Sequence, residues 1–180
     1  MRVSILEPDS ALVAEAEPER LDAPAFALMY EKHRLSVYRF LRARTSSNEE
    51  ALELTAVTFE RAFAGHLRFR RRDGGAHAWL LRIARNSAID ASRRRRPTVE
   101  LAGADVSLSR AAIAADRLEQ ERTEIRDLVS RLPGDQRDAL LLRYAGGLTA
   151  REIGTVVGKR EGAVQKQIER GLATLREAYR

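Results

Sequence analysis

At 180 residues, with 44% apolar and 32% charged side chains, the chain has a folded, globular composition long enough for one ordinary domain or two small ones. It holds no cysteine, which excludes disulfides, thiolate metal sites and cysteine nucleophiles. No stretch approaches the roughly 18 continuous apolar residues of a membrane span. The opening MRVSILEPDSALVAEAEPER is acidic and lacks the order of a signal peptide, so no membrane insertion and a cytoplasmic location are expected.

The net charge of +6 is unevenly spread, at about −4 over residues 1–24, +9 over 25–97, −3 over 98–124 and +4 over 125–180. Basic bodies attract polyanions through counterion release, and acidic segments are repelled by them. The pattern therefore suggests two nucleic-acid-facing units, although charge segregation of this kind also serves solubility.

Residues 1–24 carry Pro8, Pro18 and Pro24 among many acids and read as a disordered leader. From Ala25, the positions Phe26, Met29, Tyr30, His33, Val37, Phe40 and Leu41 recur at helical spacing, predicting an amphipathic helix to about Arg44. Ser47 and Glu50 form a capping box for a second helix that Gly65 closes. An arginine-rich loop over 66–75 leads into a third helix, from about Ala76 to Arg95, which Pro97 stops. On that helix Trp79, Leu80, Ile83, Ala84, Ala88 and Ala91 make an apolar stripe, while Arg82, Asn86, Asp90 and Arg93 step along the other side.

Residues 98–115 are acidic and small, without periodicity, and read as a flexible linker. Four shorter helices follow, over about 116–131, from Pro133 to the Gly146-Gly147 stop, from a second capping box at Thr149 and Glu152 to Gly158, and from Glu161 to Ala178. No segment shows strand periodicity. The expected fold is all-α, as two small helical domains over 25–97 and 116–180.

Leu148 to Leu175 has the layout of a helix-turn-helix. Gly154 stands where the elements cross closely, Gly158 is free to take positive φ, and Ile153, Val157, Val164 and Ile168 supply a shared core. Lys166 and Arg170 then point outward with Gln165 and Gln167 on the flanks, where they could meet base edges and phosphates. An ordinary helical hairpin with a solvated face is the alternative. His33, His66 and His77 are scattered without metal spacing and read as surface or boundary residues. Glu49 and Glu50 read as helix-start charges rather than an acid/base pair, and neither a phosphate-binding glycine loop nor a dinucleotide fingerprint is present. No enzyme activity and no cofactor are expected.

Three stretches together, ALMYEKHRLSVYRFL, AHAWLLRIARNSAIDASRRRR and LVSRLPGDQRDALLLRYAGGLTAREIGTVVGKREGAVQKQIERGLATLREAY, resemble the extracytoplasmic-function sigma factors of bacteria, over nearly everything from Ala25 to Tyr179. The resemblance implies a transcription initiation factor with a sigma region 2 bundle and a region 4 helix-turn-helix. Region 2 would bind the clamp of core RNA polymerase and the melted non-template strand of the minus-ten element. Region 4 would dock on the polymerase flap and read duplex at the minus-thirty-five element.

Carried over by position, it implies minus-ten contacts from Trp79, Arg82, Arg85, Asn86, Asp90, Arg93 and Arg94, with 69–78 as a specificity loop and Arg93 to Arg96 on phosphates. Trp79 reads as a core anchor rather than a base-stacking surface, and a solvated end is the alternative for the arginine run. Minus-thirty-five contacts fall on Lys159, Arg160, Gln165, Lys166, Gln167 and Arg170, and polymerase contacts on Glu50, Glu53, Leu54, Phe59 and Arg61.

Two departures from the family pattern stand out. ELTAVTF (Glu53 to Phe59) replaces a polar pair with Ala56 and Val57, and GAVQKQ (Gly162 to Gln167) places glutamines, which suit adenine, in the recognition helix. The family also implies an anti-sigma partner. A helix-turn-helix regulator acting without polymerase would leave the ARNSAID helix unexplained, and a module that merely sequesters another factor would leave Lys166 and Arg170 unexplained.

Overall fold

The computed structural model describes residues 22–69, 75–94 and 122–179. The leader up to residue 21, Arg70 to Gly74, Arg95 to Pro97 and the linker expected over 98–115 lie outside the described residues. Every regular element described is helical, in line with the all-α expectation. None of these helices is long and apolar enough to cross a membrane.

Helix α1 (Ala23–Arg42) begins earlier than the periodicity suggests. Asp22 caps it, its carboxylate accepting from the Ala25 N–H at 2.9 Å. Pro24, which reads as a breaker, falls in the first turn, where its missing N–H is of no consequence. Helix α2 (Asn48–Gly65) starts from Ser47, whose hydroxyl accepts from the Glu50 N–H at 3.2 Å. The Glu50 carboxylate reaches the Ser46 N–H at 3.4 Å rather than that of Ser47, so the capping box is offset by one residue. A single 3-10 turn (His66–Arg68) follows, then α3 (Gly75–Arg94).

These three helices pack on one another. Val37, Phe40, Leu41, Leu80 and Leu81 are wholly shielded from solvent, each contributing about 1.5–3 kcal/mol of hydrophobic stabilisation.

The second unit opens with α4 over residues 122–130, while the part of that helix expected over 116–121 is not described. Helix α5 (Gly134–Leu140) runs on into a π-helical turn (Leu141–Ala145), an irregularity that no periodicity signals. Pro133 caps α5 rather than joining its first turn. Thr149 and Glu152 make the reciprocal capping box of α6 (Ala150–Val157), with the Thr149 N–H 2.8 Å from the Glu152 carboxylate. Gly158 then turns the chain at φ +70° into α7 (Glu161–Ala178).

Helix α7 rests on both α5 and α6. Gly171 permits that approach, since a Cβ there would lie 2.7 Å from Leu140.

The two units touch. Helix α3 packs against α6 and α1 against the π-turn, and a Cβ on Gly146 would lie 2.9 Å from the Leu81 side chain. Nothing in the sequence reading anticipates this contact.

Candidate nucleic-acid interface

The outward side of α3 presents Arg82, Asn86, Arg93 and Arg94 to solvent, with Asp90 half-buried beside them. Asp90 is engaged, because the Arg61 guanidinium of α2 donates to its carboxylate at 3.2 Å and to Ser87 Oγ at 3.1 Å. Two residues assigned from sequence to different partners, Arg61 to polymerase and Asp90 to the minus-ten element, thus hold each other. The pair is nearly half exposed, so its net worth is about 0–1 kcal/mol.

Trp79 is half-buried, its ring centroid 5.0 Å from that of Phe69, while Phe69 is almost fully enclosed. That packing favours an anchoring role over an open stacking platform. Of the expected specificity loop, Gly75 to Ala78 are already helical.

Arg85 departs most from its expected place. It turns toward the second unit, where its Nε donates to Asp138 Oδ2 at 2.6 Å, because its position lies about 60–100° around the wheel from the Arg82–Asn86–Arg93 row.

On α7, Val164 is buried, and Ile168, Leu172 and Leu175 are partly covered. Gln165, Lys166 and Arg170 are exposed and Gln167 is half-covered, as is Lys159 in the turn, with Arg160 exposed beside it. Lys159 is paired with Asp135 of α5, which takes up part of its charge. Gly154 is needed where it stands, since a Cβ there would lie 2.5 Å from the Lys159 carbonyl oxygen. The close approach is to the turn itself, at the start of α7.

The polymerase-facing expectation needs correction on α2. Phe59 is buried with its ring 4.7 Å from Tyr30, and Leu54 is also buried, at the floor of a groove of about 730 Å³ between α2 and α3 that Glu50, Glu53 and Arg61 also line. The outward stripe is instead Leu52, Ala56, Glu60 and Phe63 with Glu53, at spacings of three and four. Leu52 and Phe63 are 60% and 49% exposed, large for apolar side chains, although the Phe63 ring also packs edge-on against Phe26 with centroids 5.1 Å apart. Sequence reasoning missed them because α2 carries large apolar residues on both sides of its wheel.

The histidines also differ from expectation. His33 and His77 meet, Nδ1 to Nδ1 at 2.9 Å, and His77 Nε2 lies 2.6 Å from the Gly146 carbonyl. A carbonyl only accepts, so His77 Nε2 carries a proton and donates it to the Gly146 carbonyl. Burial first, then the nearby His77 and Lys32, lowers the His33 pKa from 6.5 to about 3. No group of three or more metal-ligating side chains occurs among the described residues.

Known families match both units. Residues 29–98 match the family model for Sigma-70 region 2 and residues 122–175 that for Sigma-70, region 4. The ECF RNA polymerase sigma factor SigD of Mycobacterium bovis is 33% identical over 179 residues, covering 93% of this chain and 82% of that protein. The chain belongs to the ECF RNA polymerase sigma factors.

The ECF sigma factor BldN of Streptomyces coelicolor is 31% identical over 160 residues, 86% of this chain, and this chain spans 60% of BldN's length. Among solved structures, CnrH in complex with the cytosolic domain of CnrY shares the fold, with a TM-score of 0.69 at 23% identity over 88% of this chain and 89% of that one. Within the sigma-factor frame, region 2 corresponds to the α1–α3 body and region 4 to the helices from α4 onward.

Proposed function

We propose that this chain confers promoter specificity on a bacterial RNA polymerase by reading two DNA elements with two separate helices. Residues 25–97 form the unit that grips the polymerase clamp and captures the melted minus-ten strand. Residues 116–180 form the unit that docks on the flap and grips minus-thirty-five duplex, and 98–115 form an acidic tether between them.

On α3 the proposed readers are Asn86 and Arg82, with Arg93 and Arg94 on phosphates. A base can be read on its pairing edge only after it leaves the stack, and an exposed amide can then hydrogen-bond it. Asp90 orients Arg61 rather than contacting DNA, and Trp79 anchors the helix against Phe69. On α7 the proposed contacts are Arg160, Gln165, Lys166, Gln167 and Arg170, with Lys159 weakened by Asp135. The polymerase clamp meets the Leu52–Ala56–Phe63 stripe, framed by Glu53 and Glu60, with Glu50 at its edge.

The chain is not an enzyme in this reading and uses no cofactor. Strand opening is driven by binding free energy, because flipped bases are held more tightly than the duplex. It works in the cytoplasm. A second protein regulates it, as the solved complexes of CnrH with CnrY and of RpoE with the anti-sigma factor NepR suggest.

One observation carries the reading above all. A single chain presents an exposed amide-and-arginine row on α3 and a separate exposed cationic row behind the Gly158 turn on α7. Run-off transcription with purified bacterial core polymerase over a genomic promoter library tests it. A specific start that depends on added protein is expected, and failure to direct one on any promoter would overturn the proposal.

A further inference from the structure

We propose that the cleft bounded by the end of α1, α3, α4 and α5 binds a small phosphorylated molecule of nucleoside diphosphate size, an input to this chain distinct from DNA and from partner proteins.

The cleft encloses about 680 Å³, within the range of pockets that hold small ligands. Four guanidinium groups line it, those of Arg42, Arg44, Arg126 and Arg137, against two carboxylates, Glu50 and Asp127. Glu50 is partly engaged by its own helix start, since one of its oxygens accepts from the Ser46 N–H at 3.4 Å. Ala88 and Val129, both buried, add an apolar wall.

Asp138 does not restore the balance of charge. One of its oxygens takes Arg44 and the other takes Arg85 at 2.6 Å, so both already face a guanidinium before Arg137 is counted. Burial first, then the like charges of Arg137 and Arg85, draws the Arg44 guanidinium below its ordinary pKa against the pull of Asp138. Arg137 donates through Nη1 to the Ser130 carbonyl at 3.0 Å, while its Nε is buried and meets no acceptor among the described residues. A cationic donor shut from solvent and left unmet is costly, and an anion bound in the cleft supplies the opposite charge that this side chain lacks.

The donor set selects the anion. Guanidinium forks match phosphate oxygens in planar pairs, and a diphosphate brings the negative charge in which the lining is short. The room exceeds that of a bare phosphate, and the Ala88 and Val129 wall suits the ring of a nucleoside rather than a further charged group. A nucleic-acid strand must run on at both ends, whereas Arg44 is only 10% exposed and walls from both units close around the cleft. None of the residues proposed above to read DNA lines it.

Titration calorimetry of the full chain with ADP, inorganic pyrophosphate and adenosine tests the site. ADP should bind at one per chain and raise the melting temperature by mass action, pyrophosphate should compete with it, and adenosine should bind far more weakly. Arg137→Gln should weaken ADP binding about tenfold or more, as expected for the loss of one charge-assisted contact. Thr123→Glu, at an exposed position in the lining, should weaken it comparably by charge repulsion without disturbing the core, and this variant decides the matter should Arg137→Gln not fold. Arg151→Gln with Arg176→Gln, which removes two exposed charges that do not line the cleft, should leave ADP binding unchanged.

ADP that fails to saturate, or that binds Thr123→Glu as tightly as wild type, would overturn the proposal. Equal weakening by the Arg151 and Arg176 pair would also overturn it, because the chain would then be attracting polyanions over its whole surface. Adenosine binding as tight as that of ADP, or pyrophosphate that does not compete, would overturn the assignment of the guanidinium groups to phosphate.

Discussion

Region 2 and region 4 are both small helical bodies, but they bury themselves differently. In region 2, α1, α2 and α3 each contribute several enclosed residues, and Phe40, Leu41, Leu80 and Leu81 meet at a centre fully shielded from solvent. In region 4 the long helix α7 buries only Val164 and Gly171. Much of its stabilising contact is made by the short α5, the π-turn and α6, and these also lean on region 2. A helix that must lay one side in a DNA groove has less surface to give to its own core. Region 2 is thus expected to tolerate separation from region 4 better than the reverse.

Substitutions can break that contrast, beginning with the largest effect. Phe40→Ala should cost about 3–5 kcal/mol, read as lost thermal stability, and should lower region 4 stability too if the two units melt together. Gly154→Ala places a methyl group against the Lys159 carbonyl and should cost about 1–3 kcal/mol by overpacking. Local hydrogen exchange should rise in α6 and α7 and stay unchanged in α1 to α3.

Acid should act at the seam between the units. His33 is held neutral, its pKa lowered from 6.5 to about 3 chiefly by burial. The unfolded chain therefore takes up a proton at a pH where the folded one does not, and the stability this contributes is complete above 6.5 and lost as pH falls from 6.5 toward 3. At pH 5 the loss is about 2 kcal/mol. Among the described residues, the groups facing His33 include Lys32, His77 and, through His77, Ser36 and the Gly146 carbonyl. Denaturant titrations of His33→Gln should show a flatter pH dependence, and an unchanged slope would contradict the assignment.

Thr149→Ala should cost about 1 kcal/mol through loss of the α6 cap, seen as a small drop in the region 4 melting temperature. Smallest in stability is Lys166→Ala with Arg170→Ala, which removes no internal contact of the recognition helix face. Duplex binding should nonetheless weaken, its salt slope falling by about 1 for each lost phosphate contact.

Much of this molecule was legible in its sequence. The Thr149 and Glu152 box, the Gly158 turn and the Val164–Ile168–Leu172 stripe are local patterns whose physics lies within a few residues, and the structure reproduces them. The start of α1 was misjudged because Pro24 breaks a helix interior but not a first turn. On α2, Leu52, Leu54, Val57, Phe59 and Phe63 surround the wheel, so periodicity could not tell which row turns inward, and Leu54 and Phe59, carried over from the family resemblance as polymerase contacts, are buried. Arg85, Asp138, Gly146 and the two histidines lay beyond reach for another reason. Their partners are 41 to 110 residues away, and no local rule connects them.

The central claim is that two separate helices of this chain read two separate DNA elements. Footprinting of the reconstituted polymerase on one responsive promoter tests it most directly, comparing wild type with Asn86→Ala and with Lys166→Ala/Arg170→Ala. The account predicts that Asn86→Ala abolishes strand opening at the downstream element while upstream protection persists. It also predicts that the double variant loses upstream protection while residual opening still starts at the same base. If either variant removes both signals together while core binding is intact, the two helices do not read separate elements and the account is wrong.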